Sequence, residues 1–126
     1  RFMLHTWIEH IEYGGLRGGC FFSGASTEFD GRPGEVRDRL VTLIRSWVGY
    51  LEKEIGEAQS MGEVTDNVAA ELLAFQLHAY VQEANLYRQL FQKEDAFDLA
   101  RTSIDEKLFA VATALGAQRL RYDINE

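Results

Sequence analysis

Residues 66–92 read DNVAAELLAFQLHAYVQEANLYRQLFQ, and this stretch decides the fold. On a helix its apolar residues cover an arc of about 200°, twice the width expected of a surface helix. Only Gln76 and Glu83 separate two apolar stripes. One stripe can pack on the domain's own helices, and the other needs the next helix, a ligand or another subunit. The first stripe comprises Val68, Leu72, Phe75, Ala79, Leu86 and Leu90, and the second comprises Leu73, Leu77, Tyr80, Ala84, Tyr87 and Phe91.

The rest of the chain also fits helices, so the sequence predicts an all-α bundle of about five helices. Pro33 and Glu35 suit a first helical turn, and Asp66 is a good N-cap for the stretch quoted above. Gly116 is predicted to end the last helix. We expect one domain over residues 1–116 and a polar, fraying tail over residues 117–126. The predicted helices are residues 1–13, 18–29, 33–61, 66–92 and 95–115.

Composition and motifs exclude several classes of protein. The net charge of −7 makes free nucleic acid a poor partner, and no apolar run reaches the roughly 18 residues that span a bilayer. The single cysteine, Cys20, fits a reducing compartment, so we expect a cytoplasmic protein. Carboxylate-bridged metal bundles need Glu-x-x-His pairs, and none occurs. No nucleophile–base pair or phosphate-binding loop is evident. We therefore expect no enzymatic activity, no metal and no cofactor.

The residues most informative about a binding site are aromatic side chains that come from several predicted helices. They can line one apolar cavity that offers a few hydroxyl or indole donors, as small-molecule sites usually do. The alternative is that they simply fill the core. The candidate ligand-binding residues are Trp7, Phe22, Trp47, Tyr50, Phe75 and Tyr80.

Several short motifs, in their order and spacing, resemble the C-terminal domain of TetR-family transcriptional regulators. They are Gly19-Cys-Phe-Phe22, Glu28-Phe29, Pro33-Gly-x-Val-Arg-Asp-x-Leu40, Trp47, Glu57-Ala-x-x-x-Gly-Glu63, Ala74-Phe-x-Leu-His-Ala79 and Ala84-Asn-Leu-x-Arg-x-Leu90. The resemblance extends over roughly residues 1 to 115. Glu83 departs from the pattern, because relatives often carry a small residue there.

The resemblance implies an effector-sensing domain of a repressor that forms a homodimer through its last two long helices as a four-helix bundle. DNA would be bound by an N-terminal helix-turn-helix domain that this chain lacks, and we expect the first helix to continue upstream. An apolar cavity in an acidic domain favours a small hydrophobic effector that is neutral or cationic. The expected interface residues are Ala79, Gln82, Glu83, Leu86, Leu90, Ile104, Leu108 and Val111.

Two questions stay open at the level of sequence: which face of the helix meets the partner subunit, and which function the domain has. Helices of residues 66–92 could meet the partner subunit through an apolar stripe or through the polar ridge around His78 and Asn85. Polar residues in such an interface can set its register. A structural interaction domain without an effector and, less favoured, a helical enzyme are the alternative functions.

Overall fold

The computed structural model describes residues 1–13, 24–25 and 28–126 and confirms the all-α class. Within these residues the chain forms five helices and a single isolated β-bridge, between Val64 and Ala112. The predicted helix at 18–29 lies mostly outside the described residues, as do Cys20 and Phe22. The helices are α1 (Phe2–Tyr13), α2 (Glu35–Ser60), α3 (Ala70–Leu90), α4 (Ala96–Val111) and α5 (Ala114–Asn125).

Helix α3 lies at the centre of the domain and packs mainly on α4 and α2. Burial of apolar side chains is the main favourable term for such a bundle, at about 1.5–3 kcal/mol for each fully buried large aliphatic or aromatic side chain. Phe97 is the largest fully buried side chain among the described residues. The core consists of Leu4, Ile8, Leu51, Ile55, Leu73, Ala74, Leu77, Val81, Ala84, Ala96, Phe97, Ala100, Ile104 and Val111.

The two predicted stripes of α3 have different surroundings. Leu73, Leu77 and Ala84 of the second stripe are buried, although Phe91, just beyond the helix, is exposed. Apart from Val68, which packs against the core, and Ala79, which is half-buried, the first stripe is open to solvent within this single chain. Its exposed fractions are 51% for Leu72, 70% for Phe75, 46% for Leu86 and 66% for Leu90. The second stripe therefore faces the core, and the first stripe is the apolar surface that lacks a partner within the described chain.

The start of α3 differs from the sequence prediction. The helix begins at Ala70 with Ala69 as its N-cap, and Asp66 lies in a preceding turn. Thr65 donates its backbone N–H to Val111 O at 2.9 Å, and the amide of Gln59 donates to Thr65 O and Val68 O at 3.1 and 2.7 Å. These bonds fix the backbone on both sides of the turn at Asp66, and the helix begins only at Ala70.

The C-terminal residues differ more strongly from the prediction. Helix α4 ends at Val111, and residues 114–125 form α5 rather than a fraying tail. Thr113 is the N-cap of α5, and its hydroxyl accepts a hydrogen bond from the N–H of Gly116 at 3.2 Å. Gly116 therefore does not end a helix. It lies in the first turn of α5, buried against the carbonyl group of Glu63.

Candidate ligand-binding groove

A groove of about 860 Å³ opens between α1, α2 and α5. This volume lies within the range of roughly 300–1,000 Å³ that is typical of small-molecule sites. Leu73 and Leu77 of α3 reach the groove from the core, whereas Met3 and Trp7 line it from α1 and Trp47 and Tyr50 line it from α2. Its lining is therefore largely apolar, with aromatic rings on two of its walls.

Three of the six aromatic residues predicted to bind a ligand line this groove together. They are Trp7, Trp47 and Tyr50. The indole rings of Trp7 and Trp47 meet edge to face, with centroids 5.1 Å apart and planes at 64°. The Trp47 Nε1 atom is buried and has no hydrogen-bond acceptor among the described residues. A buried donor without an acceptor costs about 1–3 kcal/mol.

Phe75 and Tyr80, two of the other predicted residues, are not among those that line the groove. Phe75 is 70% exposed because it lies on the unpartnered stripe of α3. Tyr80, which belongs to the second stripe, is half-buried and packs against the core. Phe22 lies outside the described residues. Because both stripes of α3 are apolar, periodicity alone did not distinguish the stripe that faces the core from the exposed stripe.

The polar ridge around His78 and Asn85 is covered only in part: His78 is half-buried and Asn85 buried, whereas Glu71 and Gln89 on the same side of α3 are exposed. The imidazole of His78 stacks on the Trp7 ring at 5.3 Å and 27°, and its Nε2 lies 3.5 Å from Nε2 of Gln82. Burial lowers the pKa of His78 below its ordinary 6.5, so the ring is neutral at pH 7. Asn85 is buried. His78 and Asn85 thus pack on the domain itself, and the open surface of α3 consists of the exposed apolar stripe with Glu71 and Gln89 beside it.

Two groups of ion pairs connect α1 to α4. Asp105 accepts hydrogen bonds from Nε of Arg1 at 3.0 Å, and it lies 2.9 Å from Nε2 of His5. Two turns further along α1, Glu12 pairs with Arg101 at 2.5 Å. Burial lowers the pKa of His5, and the nearby Asp105 carboxylate partly opposes that shift. These pairs thus hold α1 against α4, while residues on another side of α1 line the groove.

The predicted interface residues fall into two sets. Ile104 and Val111 are buried in the chain's own core, and Leu108 is half-buried and lines the groove. Ile104 and Val111 are accordingly not available to a partner subunit. The second set lies on or beside the exposed stripe of α3 and comprises Ala79, Gln82, Glu83, Leu86 and Leu90.

Sequence reasoning missed the contribution of the C-terminal helix to the groove. Gly116, Arg119, Leu120 and Asp123 of α5 line it, and Glu54 lines it from α2. The available signal was Thr113, a favourable N-cap residue that lies two positions after Val111, the last residue of α4. Among the described residues, no group of three His, Cys, Asp or Glu side chains is placed to hold a metal ion.

An all-α domain that combines a ligand-sized groove with an uncovered apolar helix face belongs to the class of helical binding domains. Within this class, the chain belongs to the TetR family, because residues 1–104 match the family model described as "Tetracyclin repressor-like, C-terminal domain". It is a ligand-binding and dimerisation domain of the regulator type, a family without enzymatic function. Helix α5 lies beyond the matched residues.

A comparison with curated proteins found no significant match. In the part of the chain that the structure describes, the helices lack the combination of length and apolar character that a membrane span requires.

Proposed function

We propose that this chain is the effector-sensing and dimerisation part of a TetR-like repressor. Its effector is a small hydrophobic molecule, neutral or cationic, and DNA is bound by a helix-turn-helix domain outside these residues. Such a regulator works in the cytoplasm, as the sequence led us to expect. The observation that carries the proposal is the groove of about 860 Å³ lined by Trp7, Trp47 and Tyr50. Packed aromatic core would leave no such space.

The position of α1 provides a route from effector binding to DNA binding. This helix lines the groove with Trp7 and is paired with α4 through Glu12–Arg101 and His5–Asp105. A ligand that fits the groove better in one arrangement of α1 than in another shifts the equilibrium between the two. The free energy that couples effector binding to DNA binding comes from the difference in the effector's binding free energy between those two arrangements of α1. Effector binding would thereby change the placement of whatever α1 is joined to.

The exposed stripe of α3 is the proposed dimer interface, together with neighbouring residues of α4. Leu99 of α4 is 49% exposed and is included in the proposed interface. A two-fold pairing would bring α3 and α4 of each subunit into a four-helix bundle and would cover the large side chains left open in one chain. Phe75, predicted as a ligand contact, is reassigned to this interface in the proposal because of its exposure. The stripe comprises Leu72, Phe75, Ala79, Leu86 and Leu90.

Intrinsic fluorescence tests the groove directly, because both tryptophans of the chain line it. Titration with N-phenyl-1-naphthylamine, a neutral fluorescent probe, is expected to give saturable energy transfer from tryptophan and a higher melting temperature. Tyr50→Ala removes a groove side chain and should weaken binding. Leu43→Ala, at a similarly exposed site of α2 outside the groove lining, is the matched control.

The outcome separates the sensor from the alternatives. Saturable binding that Tyr50→Ala weakens and Leu43→Ala leaves unchanged supports a sensor. Absence of saturable binding, with no shift of the melting temperature, would refute the sensor and favour a structural interaction domain without an effector.

A further inference from the structure

One acidic side chain lies within the exposed stripe of α3. Glu83 follows Ala79 by four residues and precedes Leu86 by three, so it projects from the same side of the helix as these two stripe residues. Its side chain is exposed and forms no ion pair or hydrogen bond among the described residues. A second subunit on the stripe would cover this carboxylate, and a covered charge is costly unless it is paired. The interface therefore needs a cation near Glu83.

Lys107 of α4 is the available cation. Helices α3 and α4 are fully described, and their two arginines are already paired, Arg88 with Glu94 and Arg101 with Glu12. The half-buried Lys107 forms no ion pair among the described residues. It is thus the one lysine or arginine of these two helices that is free to meet a carboxylate of a second subunit.

The short connection between α3 and α4 fixes their relative register. Helix α3 ends at Leu90 and α4 begins at Ala96, and two packed helices joined by so short a link run antiparallel. Lys107 is eleven residues beyond Ala96, and Ala79 is eleven residues before Leu90. Because both helices rise equally per residue, Lys107 and Ala79 lie at the same level of the helix pair.

Two observations support this placement of Lys107. The same count puts Val81 and Ile104 within one residue of each other, and both are fully buried in the shared core. Lys107 also lies eight residues beyond Leu99, with Ser103 midway, so the three side chains share one side of α4. Leu99 belongs to the proposed interface, and Lys107 therefore lies beside the surface that a second subunit would cover.

Two-fold symmetry brings Lys107 of the partner subunit to Glu83. The exposed stripe runs over residues 72–90, so its centre is at residue 81. We take the two α3 helices of an isologous dimer to be antiparallel, as their dipoles favour. A two-fold axis at the centre of the stripe then places Glu83 level with Ala79 of the partner subunit. This is also the level of Lys107 of the partner subunit, and the contact occurs twice in each dimer.

We propose that Glu83 and Lys107 of the partner subunit form two symmetry-related salt bridges that set the register of the dimer and select a second copy of this chain. Polar residues in an apolar interface can fix register in this way. Complementary charges also disfavour a partner that carries a like charge at either position. This inference rests on the proposed function, because it adds charge pairs to the apolar interface described there.

Exchange of the two charges tests the pair. Glu83→Lys and Lys107→Glu each replace both salt bridges of a homodimer by like-charge contacts. Each exposed pair is worth up to about fivefold in affinity, so each variant should dimerise about tenfold more weakly in sedimentation equilibrium. The chain with both changes should dimerise nearly as tightly as the unmodified chain. Added salt should reduce the losses in the single variants, because salt screens exposed charges.

A mixture of the two single variants separates a contact between subunits from a contact within one chain. Glu83→Lys and Lys107→Glu chains regain both salt bridges only in a heterodimer, which should therefore exceed the fraction expected from random pairing. Isotope labelling of one variant allows native mass spectrometry to measure that fraction. Glu106→Lys mixed with Lys107→Glu is the matched control, because Glu106 is an exposed acid of α4 outside the stripe. This control mixture should show no excess of heterodimer.

The results separate the charge pair from the apolar interface. Random pairing in the first mixture, or an equal excess of heterodimer in the control mixture, would overturn the pairing of Glu83 with Lys107. Loss of the dimer in Leu86→Glu under the same conditions would then show that the apolar interface of the proposed function stands. A monomeric unmodified chain would overturn that interface and the charge pair together.

Discussion

Replacement of Gly116 by alanine tests the close contact that holds α5 against the rest of the domain. A Cβ atom at this position would overlap the carbonyl oxygen of Glu63 and lie 2.9 Å from its carbonyl carbon and 3.2 Å from its Cα. These neighbours are backbone atoms, so the segment must move as a whole. A shift large enough to admit the methyl group would break the bonds from Thr113 N to Glu63 O and from Thr65 N to Val111 O, both 2.9 Å.

The expected magnitude follows from the terms that oppose each other. Each lost backbone hydrogen bond costs about 1 kcal/mol, and the gain in helix propensity from glycine to alanine returns about 1 kcal/mol. Gly116→Ala should therefore lower the free energy of unfolding by about 1–2 kcal/mol once lost packing is included. Gly49→Ala is the control, because Gly49 lies on α2 with no atom within 4 Å of an added Cβ. It should stabilise the domain by about 0.5–1 kcal/mol.

The assay is urea unfolding followed by circular dichroism, together with hydrogen exchange of residues 114–125. Gly116→Ala should accelerate exchange in α5 and weaken binding of N-phenyl-1-naphthylamine, because α5 forms one wall of the groove. Stabilisation by Gly116→Ala as large as that by Gly49→Ala would refute the close contact and the docking of α5 that depends on it.

Two further predictions concern α1. Because burial keeps the pKa of His78 below its ordinary 6.5, stability should be complete above about pH 6.5 and should fall as pH drops through that value toward the folded pKa. His78→Phe keeps a ring against Trp7 and should reduce the fall in melting temperature between about pH 7.5 and 5.5; the remainder belongs to His5, whose pKa burial also lowers. An unchanged pH dependence would contradict the assignment. Arg101→Met leaves the Glu12 carboxylate, 17% exposed, without its partner and should cost about 1–2 kcal/mol in urea unfolding. The same change at Arg39, an exposed residue of α2, should cost little, and equal losses would sink the interpretation of the α1–α4 pair.

The helical periodicity of α3 predicted its existence and its surplus of apolar surface, and the structure shows both. Periodicity could not show which stripe faces the core, because both stripes have similar composition. Phe75 was consequently placed with the cavity aromatics. Trp7 and Trp47 were predicted to lie together because each occupies the apolar face of its own helix, and their rings are indeed in contact.

Features set by non-local backbone contacts could not be predicted from local sequence signals. The segment before α3 looks helical from Asp66 onward, but the bonds from Thr65 to Val111 and from Gln59 to Val68 O hold it in a turn. Gly116 has the pattern of a helix stop, yet a glycine is needed there for close approach to Glu63. The second of these errors hid α5, and with it one wall of the groove.

The central claim is that this domain works as a dimer through the exposed stripe of α3, and multi-angle light scattering tests it most directly. The chain mass is 14.3 kDa. We predict twice that mass at micromolar concentration and the single-chain mass for Leu86→Glu, which places a charge in the stripe. Leu43→Glu, on an exposed site of α2, should remain dimeric. A monomer for the unmodified chain, or an unchanged dimer for Leu86→Glu, would contradict the account.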